Sequence, residues 1–172
     1  MGADTEEKTG RKRKPRIYME KTMFNYYFDE ERGEQHECTV KLFEIIKDGL
    51  FEAYTSTYVT GELEDAEEPK RSKMLELIEN YGLTQLDEND EIDRMGNLYV
   101  EQGIIPRKFL TDAMHIATAT VYGLNIIASM NLKHIVKDKT IEMTGIINIE
   151  NGYNAVKIYS PKEVIEHVSK IN

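Results

Sequence analysis

The sequence predicts an α/β domain with a mostly parallel central sheet and helices on both faces. Short β-favouring runs alternate with longer amphipathic stretches, which is typical of this architecture. The chain has 172 residues, of which 40% are hydrophobic and 31% charged, and its mean hydropathy is -0.53. These values are typical of a soluble globular protein and permit one domain with a substantial core. No apolar run approaches the roughly 20 residues that a membrane-spanning helix needs.

The first half of the chain is predicted to contain three strands, over residues 17–19, 51–56 and 83–86. A helix over residues 34–47 is predicted because its apolar side chains share one face and a glycine follows it. Two helices, over residues 57–65 and 69–81, are expected after the second strand. The second of these begins with Pro69, in the first turn where proline is tolerated, and ends before Gly82.

The second half is predicted to contain helices over residues 88–102, 110–122, 131–136 and 141–149. Apolar spacing predicts them, and Gly103 and Gly123 end the first two. A pair of isoleucines indicates a buried strand over residues 125–129, and a last strand is expected over residues 155–159. Strands that alternate with helices in this way favour a layered sheet.

The two ends of the chain differ in character. Residues 1–16 hold six basic and three acidic side chains, and such a segment has too little apolar surface to fold, so we expect a disordered basic tail and a domain over residues 17–172. The tail is either a solubilising leader or an arm that clamps phosphates. At the other end, Ser160 is expected to cap a helix that begins at Pro161 and extends through His167, with Glu163 completing a capping box.

Charge and cysteine content restrict the function classes. The formal charge is -9, which argues against binding of nucleic acid over the whole surface and leaves room for a local basic patch. The single cysteine, Cys38, cannot form an internal disulfide, and no apolar stretch follows the charged N-terminus as in a secretory signal. We therefore expect a cytoplasmic protein.

Several well-defined motifs are missing from the sequence. It contains no GxxxxGK[ST] loop, no GxGxxG turn and no GxSxG elbow, so phosphate loops, dinucleotide turns and serine hydrolase chemistry have no support. The four histidines and Cys38 lack the spacing of a zinc site. The acidic run over residues 87–93 puts Ile92 where a calcium loop needs glycine, so it is interpreted as a solvated helix start.

Four oxygen-bearing side chains lie where strands lead into helices: Glu20, Glu62, Asp112 and Asn131. The carboxyl ends of parallel strands share one edge of the sheet, so these side chains are expected to meet there. Clustered carboxylates repel one another and normally hold a hard divalent cation, for which Mg²⁺ or Mn²⁺ is the natural candidate. Such an ion can activate water against a phosphodiester.

Four stretches carry a family resemblance: IYMEKTMFNYYFDEER, TSTYVTGEL, FLTDAMHIATATVYGLNIIASMNLKHI and NGYNAVKIYSPKEVI. Together they resemble the PIN-domain family, and more narrowly the toxin ribonucleases of type II toxin–antitoxin pairs. The resemblance covers residues 17–165. It implies a three-layer PIN fold and an endoribonuclease dependent on Mg²⁺ or Mn²⁺ that cuts single-stranded or looped RNA. It also implies a homodimer and a cognate antitoxin in the active-site groove. Glu20, Glu62 and Asp112 fall on the metal-binding acids, and Asn131 falls on the fourth acidic position.

Two of these positions depart from the family pattern. Glu20 replaces an aspartate, and the longer side chain alters the reach of a ligand in a tight magnesium shell. Asn131 is neutral. Lys21, beside Glu20, replaces a small hydroxyl residue and could pair with the carboxylates, take part of a metal's charge role, hold a phosphate or point to solvent. The alternative function is therefore a weakly active or inactive PIN domain that binds RNA or a protein.

Each candidate also has an ordinary structural interpretation. Asp112 could cap a helix or offset its dipole, Asn131 could serve as a helix cap, and Glu62 could face solvent. His115 could bond a carboxylate or pack as a core histidine. Two further groups have open roles: Lys133 and His134 as RNA contacts, and the aromatic cluster of residues 26–28 as a base-stacking, core or dimer surface.

Overall fold

A computed structural model describes residues 13–132 and 137–171 of the chain. The strands are β1 (Arg16–Met19), β2 (Glu52–Ser56), β3 (Thr84–Leu86), β4 (Ile126–Ala128) and β5 (Lys157–Tyr159). The α-helices are α1 (Lys21–Phe28), α2 (Glu34–Lys47), α3 (Thr57–Glu64), α4 (Lys70–Asn80), α5 (Asp90–Glu101), α6 (Leu110–Val121), α7 (Asp138–Glu150) and α8 (Pro161–Ile171). Two short 3₁₀ helices are Glu30–Arg32 and Arg107–Phe109.

The strands form one sheet in the order β3-β2-β1-β4-β5, and every neighbouring pair is parallel. In the central strand, Ile17 lies opposite Ala53 on one side and Ile126 on the other. The sheet that was predicted to be mostly parallel is therefore parallel throughout the described residues. β1 lies at the centre because the chain steps outward through β2 and β3 and then returns to place β4 on the other side.

This strand order puts helices on both faces of the sheet. Parallel crossovers are right-handed, so connections that run in opposite directions along the sheet lie on opposite faces. α2 packs against α1 and α8, while α5 packs against α6. The second contact is close at Gly96 of α5, where a Cβ atom would lie 2.5 Å from Met114 Sδ. The predicted three-layer α/β class is confirmed.

The helix α1 was not predicted. Its sequence, KTMFNYYF, is rich in aromatic residues that favour strands, and its N-cap is Glu20 instead of Ser, Thr, Asp or Asn. The Glu20 side chain accepts a hydrogen bond from the backbone N–H of Thr22 and so caps the helix. The helix forms because it buries Met23 and Phe24 in the core.

Other predicted elements differ mainly at their ends. Helix α7 begins at Asp138, three residues earlier than expected, and α8 extends past His167 to Ile171. The capping box at α8 is confirmed, because Ser160 Oγ accepts from Glu163 N at 3.2 Å and Glu163 Oε1 accepts from Ser160 N at 3.1 Å. Of the helix predicted over residues 131–136, the first two residues are helical and the remainder lie outside the described residues.

The amino end of the domain lies close to its predicted position. β1 begins at Arg16, one residue earlier than expected, and residues 13–15 form neither helix nor strand. The rest of the predicted tail, residues 1–12, lies outside the described part of the chain. No helix that the structure describes has both the length and the apolar character needed to cross a bilayer.

Candidate functional site

The candidate site lies at the carboxyl ends of β1, β2 and β4. Glu20 follows the last residue of β1, Ser56 ends β2, and Ser129 follows β4. The strand order changes direction here, since β2 and β4 flank β1 on opposite sides. Open parallel sheets bind ligands at this kind of edge.

Glu20 is buried, with a relative exposure of 1%. Its Oε1 atom accepts three hydrogen bonds: from Thr22 N at 3.0 Å, from Thr22 Oγ1 at 2.6 Å and from Ser129 Oγ at 2.7 Å. A buried carboxylate needs such donors because it has lost its hydration. The hydrogen bonds of Glu20 therefore connect the start of α1 to the end of β4.

The two hydroxyl groups that donate to Glu20 also accept hydrogen bonds from the chain after β4. Thr22 Oγ1 accepts from Met130 N at 3.0 Å, and Ser129 Oγ accepts from Leu132 N at 2.9 Å. Ser129, three residues before Leu132, thus has the position and bond of a helix N-cap. The alternative interpretation of Asn131 as that cap is wrong, because Asn131 already lies inside the helical turn.

A second set of hydrogen bonds connects Glu62 to the interior. His115 Nε2 lies 2.9 Å from Glu62 Oε1, and His115 Nδ1 lies 2.7 Å from Tyr18 Oη. Tyr18 Oη in turn lies 2.6 Å from Ser56 Oγ. His115 is 1% exposed, so it is both a core histidine and the partner of a carboxylate. Burial raises the pKa of the Tyr18 phenol well above its ordinary value.

Glu62 is also paired with a lysine. Its Oε2 atom lies 3.7 Å from Lys21 Nζ, and its side chain is 27% exposed. Burial raises the pKa of Glu62, but the hydrogen bond and charge of His115 together with Lys21 outweigh burial, so the pKa lies below its usual value. Lys21 therefore pairs with a site carboxylate, which is one of the roles expected of it, and Glu62 does not simply face solvent.

Asp112 has the opposite electrostatic character. It is the third residue of α6, and Phe109 occupies the N-cap position, so Asp112 does not cap the helix; its carboxylate lies in the first turn, as the helix-dipole interpretation expects. Burial and the nearby charges of Glu20 and Glu62 raise the pKa of Asp112. Asn131 Nδ2 lies 3.5 Å from Asp112 Oδ1, at the limit of a hydrogen bond. The structure thus brings the four predicted site residues to one edge of the sheet.

The donor set can be compared with the needs of a divalent cation. The carboxylates of Glu20, Glu62 and Asp112 are hard oxygen donors, which fits Mg²⁺ or Mn²⁺ in kind. Both oxygens of Glu62 already have partners, because Oε2 contacts Lys21 and Oε1 contacts His115. Among the described residues, no three His, Cys, Asp or Glu side chains are grouped closely enough to hold a metal ion. An ion would therefore compete with the Lys21 ammonium for Glu62.

A cleft of about 370 Å³ lies beside the carboxylates. Its lining residues are Lys21, Thr22, Asn25, Tyr26, Asp29, Arg32, Lys70, Met130 and Asn131. The guanidinium of Arg32 lies 4.7 Å from the centre of the Tyr26 ring and its Nε donates to Asp29 Oδ2 at 3.0 Å. Three cationic side chains and one aromatic ring next to a carboxylate cluster form a surface suited to a phosphodiester strand.

The aromatic residues of α1 divide between the core and the surface. Tyr27 packs edge-on against Phe43, with ring centroids 5.1 Å apart, and its hydroxyl lies 2.6 Å from that of Tyr81. Phe28 is 37% exposed, and Tyr26 lines the cleft. Lys133 and His134, for which RNA contact was an open role, lie outside the described residues.

Sequence reasoning missed four members of the site: Tyr18, Thr22, Ser56 and Ser129. Ser56 ends a strand, Ser129 and Thr22 come shortly after strands, and all three lie at the same edge as the carboxylates, so this common position was a usable signal. Tyr18 gave no such signal, because a tyrosine inside a β-favouring run is usually explained by packing.

Comparison with known proteins supports the architecture. No protein-family model matches the sequence, and no curated protein matches it. A chain in the crystal structure of VapBC2 from Rickettsia felis, bound to a DNA fragment from the promoter, is similar with a TM-score of 0.52, 11% sequence identity, and coverage of 84% of this chain and 98% of that chain. The fold is PIN-like. At this identity the likeness concerns the arrangement of helices and strands.

Proposed function

We propose that this protein is a metal-dependent nuclease that hydrolyses RNA phosphodiester bonds. The observation that carries the proposal is that Glu20, Glu62 and Asp112 come from three separate parts of the sequence to one edge of the sheet, near enough for the charges of Glu20 and Glu62 to raise the pKa of Asp112. The cleft with Lys21, Arg32 and Lys70 beside them supports a polyanionic substrate. The PIN-like fold supports the same class of chemistry.

The residues of the site have distinct roles in this proposal. Lys21 and Lys70 bind backbone phosphates and orient the strand, while Tyr26 stacks on a base. Asp112, which lies beside the other two carboxylates, accepts a proton from the attacking water. Glu62 is held in place by His115. Mg²⁺ or Mn²⁺ would be held by these three carboxylates after their side chains move closer together, and it would supply an activated water and offset charge on the phosphate.

We propose further that the protein is the toxin of a toxin–antitoxin pair, acts in the cytoplasm and forms a homodimer. The fold neighbour comes from the VapBC2 complex, which supports a protein partner. For the dimer, the supporting feature is a row of exposed apolar side chains on α7, where Met143, Ile146 and Ile149 are 39%, 52% and 66% exposed. Such side chains are commonly covered by another protein.

The first test is cleavage of a pool of structured cellular RNA by the purified full chain, with Mg²⁺, with Mn²⁺ and with a chelator. We expect cuts that require the metal. Asp112→Asn, which keeps the volume and removes the charge, should lower the cleavage rate by about 100-fold or more. Asp48→Asn, on the exposed end of α2, is the matched control and should cleave like the parent. Cleavage retained in Asp112→Asn would refute the assignment of Asp112.

A second candidate function is supported by the contact between Lys21 and Glu62. An ammonium 3.7 Å from a site carboxylate offsets charge that a metal would otherwise offset, which favours a weakly active module that binds RNA or a protein. In that case the double variant Glu20→Asp with Lys21→Ser should bind Mn²⁺ more tightly and cleave RNA faster than the parent. Lys70→Ser is the control, because it removes the same charge from the cleft without touching Glu62. Unchanged Mn²⁺ affinity by calorimetry would refute this candidate.

A further inference from the structure

A second cavity lies at the other end of the sheet, where the strands begin. It has a volume of about 510 Å³ and is formed by the segment that leads into β1, the turn before β4, the segment before β5 and one residue of α8. The charged and imidazole side chains that line it are Arg13, Lys14, Arg16, Lys157 and His167. Nothing in the proposed cleavage mechanism uses this cavity.

The cavity is strongly cationic. Of the described residues that line it, four are lysine or arginine and none is acidic, although the whole protein has a formal charge of -9. One of the four, Arg16, forms an ion pair with Glu52, with Nε and Oε2 3.1 Å apart. Cations concentrated in a concave surface attract an anion more strongly than the same charges spread over a convex one.

The arrangement of the charges distinguishes between anions. A site for one small phosphate usually gathers backbone N–H groups from a helix N-terminus or a glycine-rich loop. Here the cations come from the strand starts and their preceding segments, at Arg13, Lys14, Arg16 and Lys157, and line an open cavity. Dispersed cations suit a chain of phosphates better than a single one.

We propose that this cavity binds the backbone phosphates of single-stranded RNA, as an anchor separate from the cleavage cleft. The choice of RNA rests on the proposed function. Arg16 begins β1 and Glu20 follows its last residue, so the anchor and the carboxylates are separated by about the length of that strand, roughly 13 Å at 3.3 Å per residue. The anchor holds substrate to the protein and takes no part in bond cleavage.

The test measures binding of a fluorescent single-stranded 2′-O-methyl RNA of 16 nucleotides to the full chain in the presence of a chelator, at several salt concentrations. The double variant Lys14→Ala with Lys157→Ala should bind about tenfold more weakly near 0.1 M salt, and the slope of log affinity against log salt should fall by about 1.4, at 0.7 for each phosphate contact on a single strand. The control, Lys41→Ala with Lys139→Ala, removes two exposed lysines from α2 and α7 and the same net charge. It should bind like the parent, and all proteins should share one melting temperature.

The outcomes separate this proposal from its competitors. Equal weakening in the two double variants would mean that only net charge matters and would overturn the anchor. If AMP or inorganic pyrophosphate binds as tightly as the RNA and is lost in the Lys14 and Lys157 variant, the cavity is a site for a small phosphate and the RNA assignment is overturned. Binding lost in this variant by a protein that cleaves no RNA would support the anchor while refuting the nuclease. Unchanged RNA binding by a working nuclease would refute the anchor alone.

Discussion

Two buried polar networks in this protein differ in what lies at their ends. The network of Tyr18, Ser56, His115 and Glu62 starts in the core and reaches a half-buried carboxylate beside a cleft. The other network connects α5, α6 and α7 and is closed: Asn148 bonds to Tyr99, to Thr120 at 3.0 Å and to the carbonyl of Asn154 at 3.1 Å.

The comparison shows how burial alone fails to identify a functional group. Asn148 and Tyr99 have no exposed surface, and burial raises the pKa of Tyr99 to about 12, so its phenol stays neutral at ordinary pH. The closed network satisfies its own polar groups, which is a structural task. The open network ends at the carboxylate of Glu62, which is charged and partly exposed, so a ligand can contact it. The two networks should therefore respond differently to substitution.

The largest effect on stability is expected in the closed network. Asn148→Ala removes the partner of the Asn154 carbonyl and leaves the Tyr99 and Thr120 hydroxyl groups bonded only to each other, at 3.2 Å, so the free energy of unfolding should fall by about 3 kcal/mol. Urea denaturation followed by circular dichroism measures this change. RNA cleavage per folded molecule should not change. Asn80→Ala, on the exposed end of α4, should stay within about 0.5 kcal/mol of the parent. A loss of activity in folded Asn148→Ala would mean that the closed network is not purely structural.

In the open network, Tyr18→Phe should affect both stability and activity. It removes the hydroxyl between His115 and Ser56, at a cost of about 1.5 kcal/mol in unfolding free energy. Because His115 then loses one of its two partners, RNA cleavage by the folded protein should slow by about tenfold. The measurement compares the cleavage rates of Tyr18→Phe and the parent at equal concentrations of folded protein. The control is Tyr54→Phe, whose hydroxyl contacts only Glu52 among its hydrogen-bond partners in the described residues. Full activity with reduced stability would assign Tyr18 a packing role.

The smallest effect is a pH dependence of stability at Asp112. Its pKa is raised in the folded protein, so its contribution to stability is fully present below the unfolded pKa and is lost as pH rises through the folded pKa. Asp112→Asn removes this loss. The difference in unfolding free energy, variant minus parent, should therefore be more positive at pH 7 than at pH 3 when both are measured by urea titration. A difference between variant and parent that is the same at both pH values would contradict the raised pKa.

The sequence allowed most of the architecture to be predicted, for identifiable reasons. The bounds of α2 follow from apolar spacing and a terminal glycine, and α8 follows from the capping box at Ser160. These signals are local, so they can be detected without the fold. Helix α1 was missed because its local preference for strand is overruled by burial of Met23 and Phe24.

The site was predictable only in part, because its contacts join distant segments. The positions of Glu20, Glu62 and Asp112 after strands indicated one edge of the sheet. Their partners did not follow from position: the pairing of Lys21 with Glu62 depends on how α1 packs beside α3, and the bond from Ser129 to Glu20 joins residues 109 positions apart. Tertiary geometry decides such pairs.

The bond between Ser129 and Glu20 also has a consequence during synthesis of the chain. Glu20 is made early, but one of its three donors belongs to a segment that leaves the ribosome more than a hundred residues later. Until Ser129 emerges and β4 pairs with β1, the Glu20 carboxylate lacks that donor and Asp112 has no completed edge of the sheet to face. A growing chain therefore cannot have this site assembled until most of the protein has been translated.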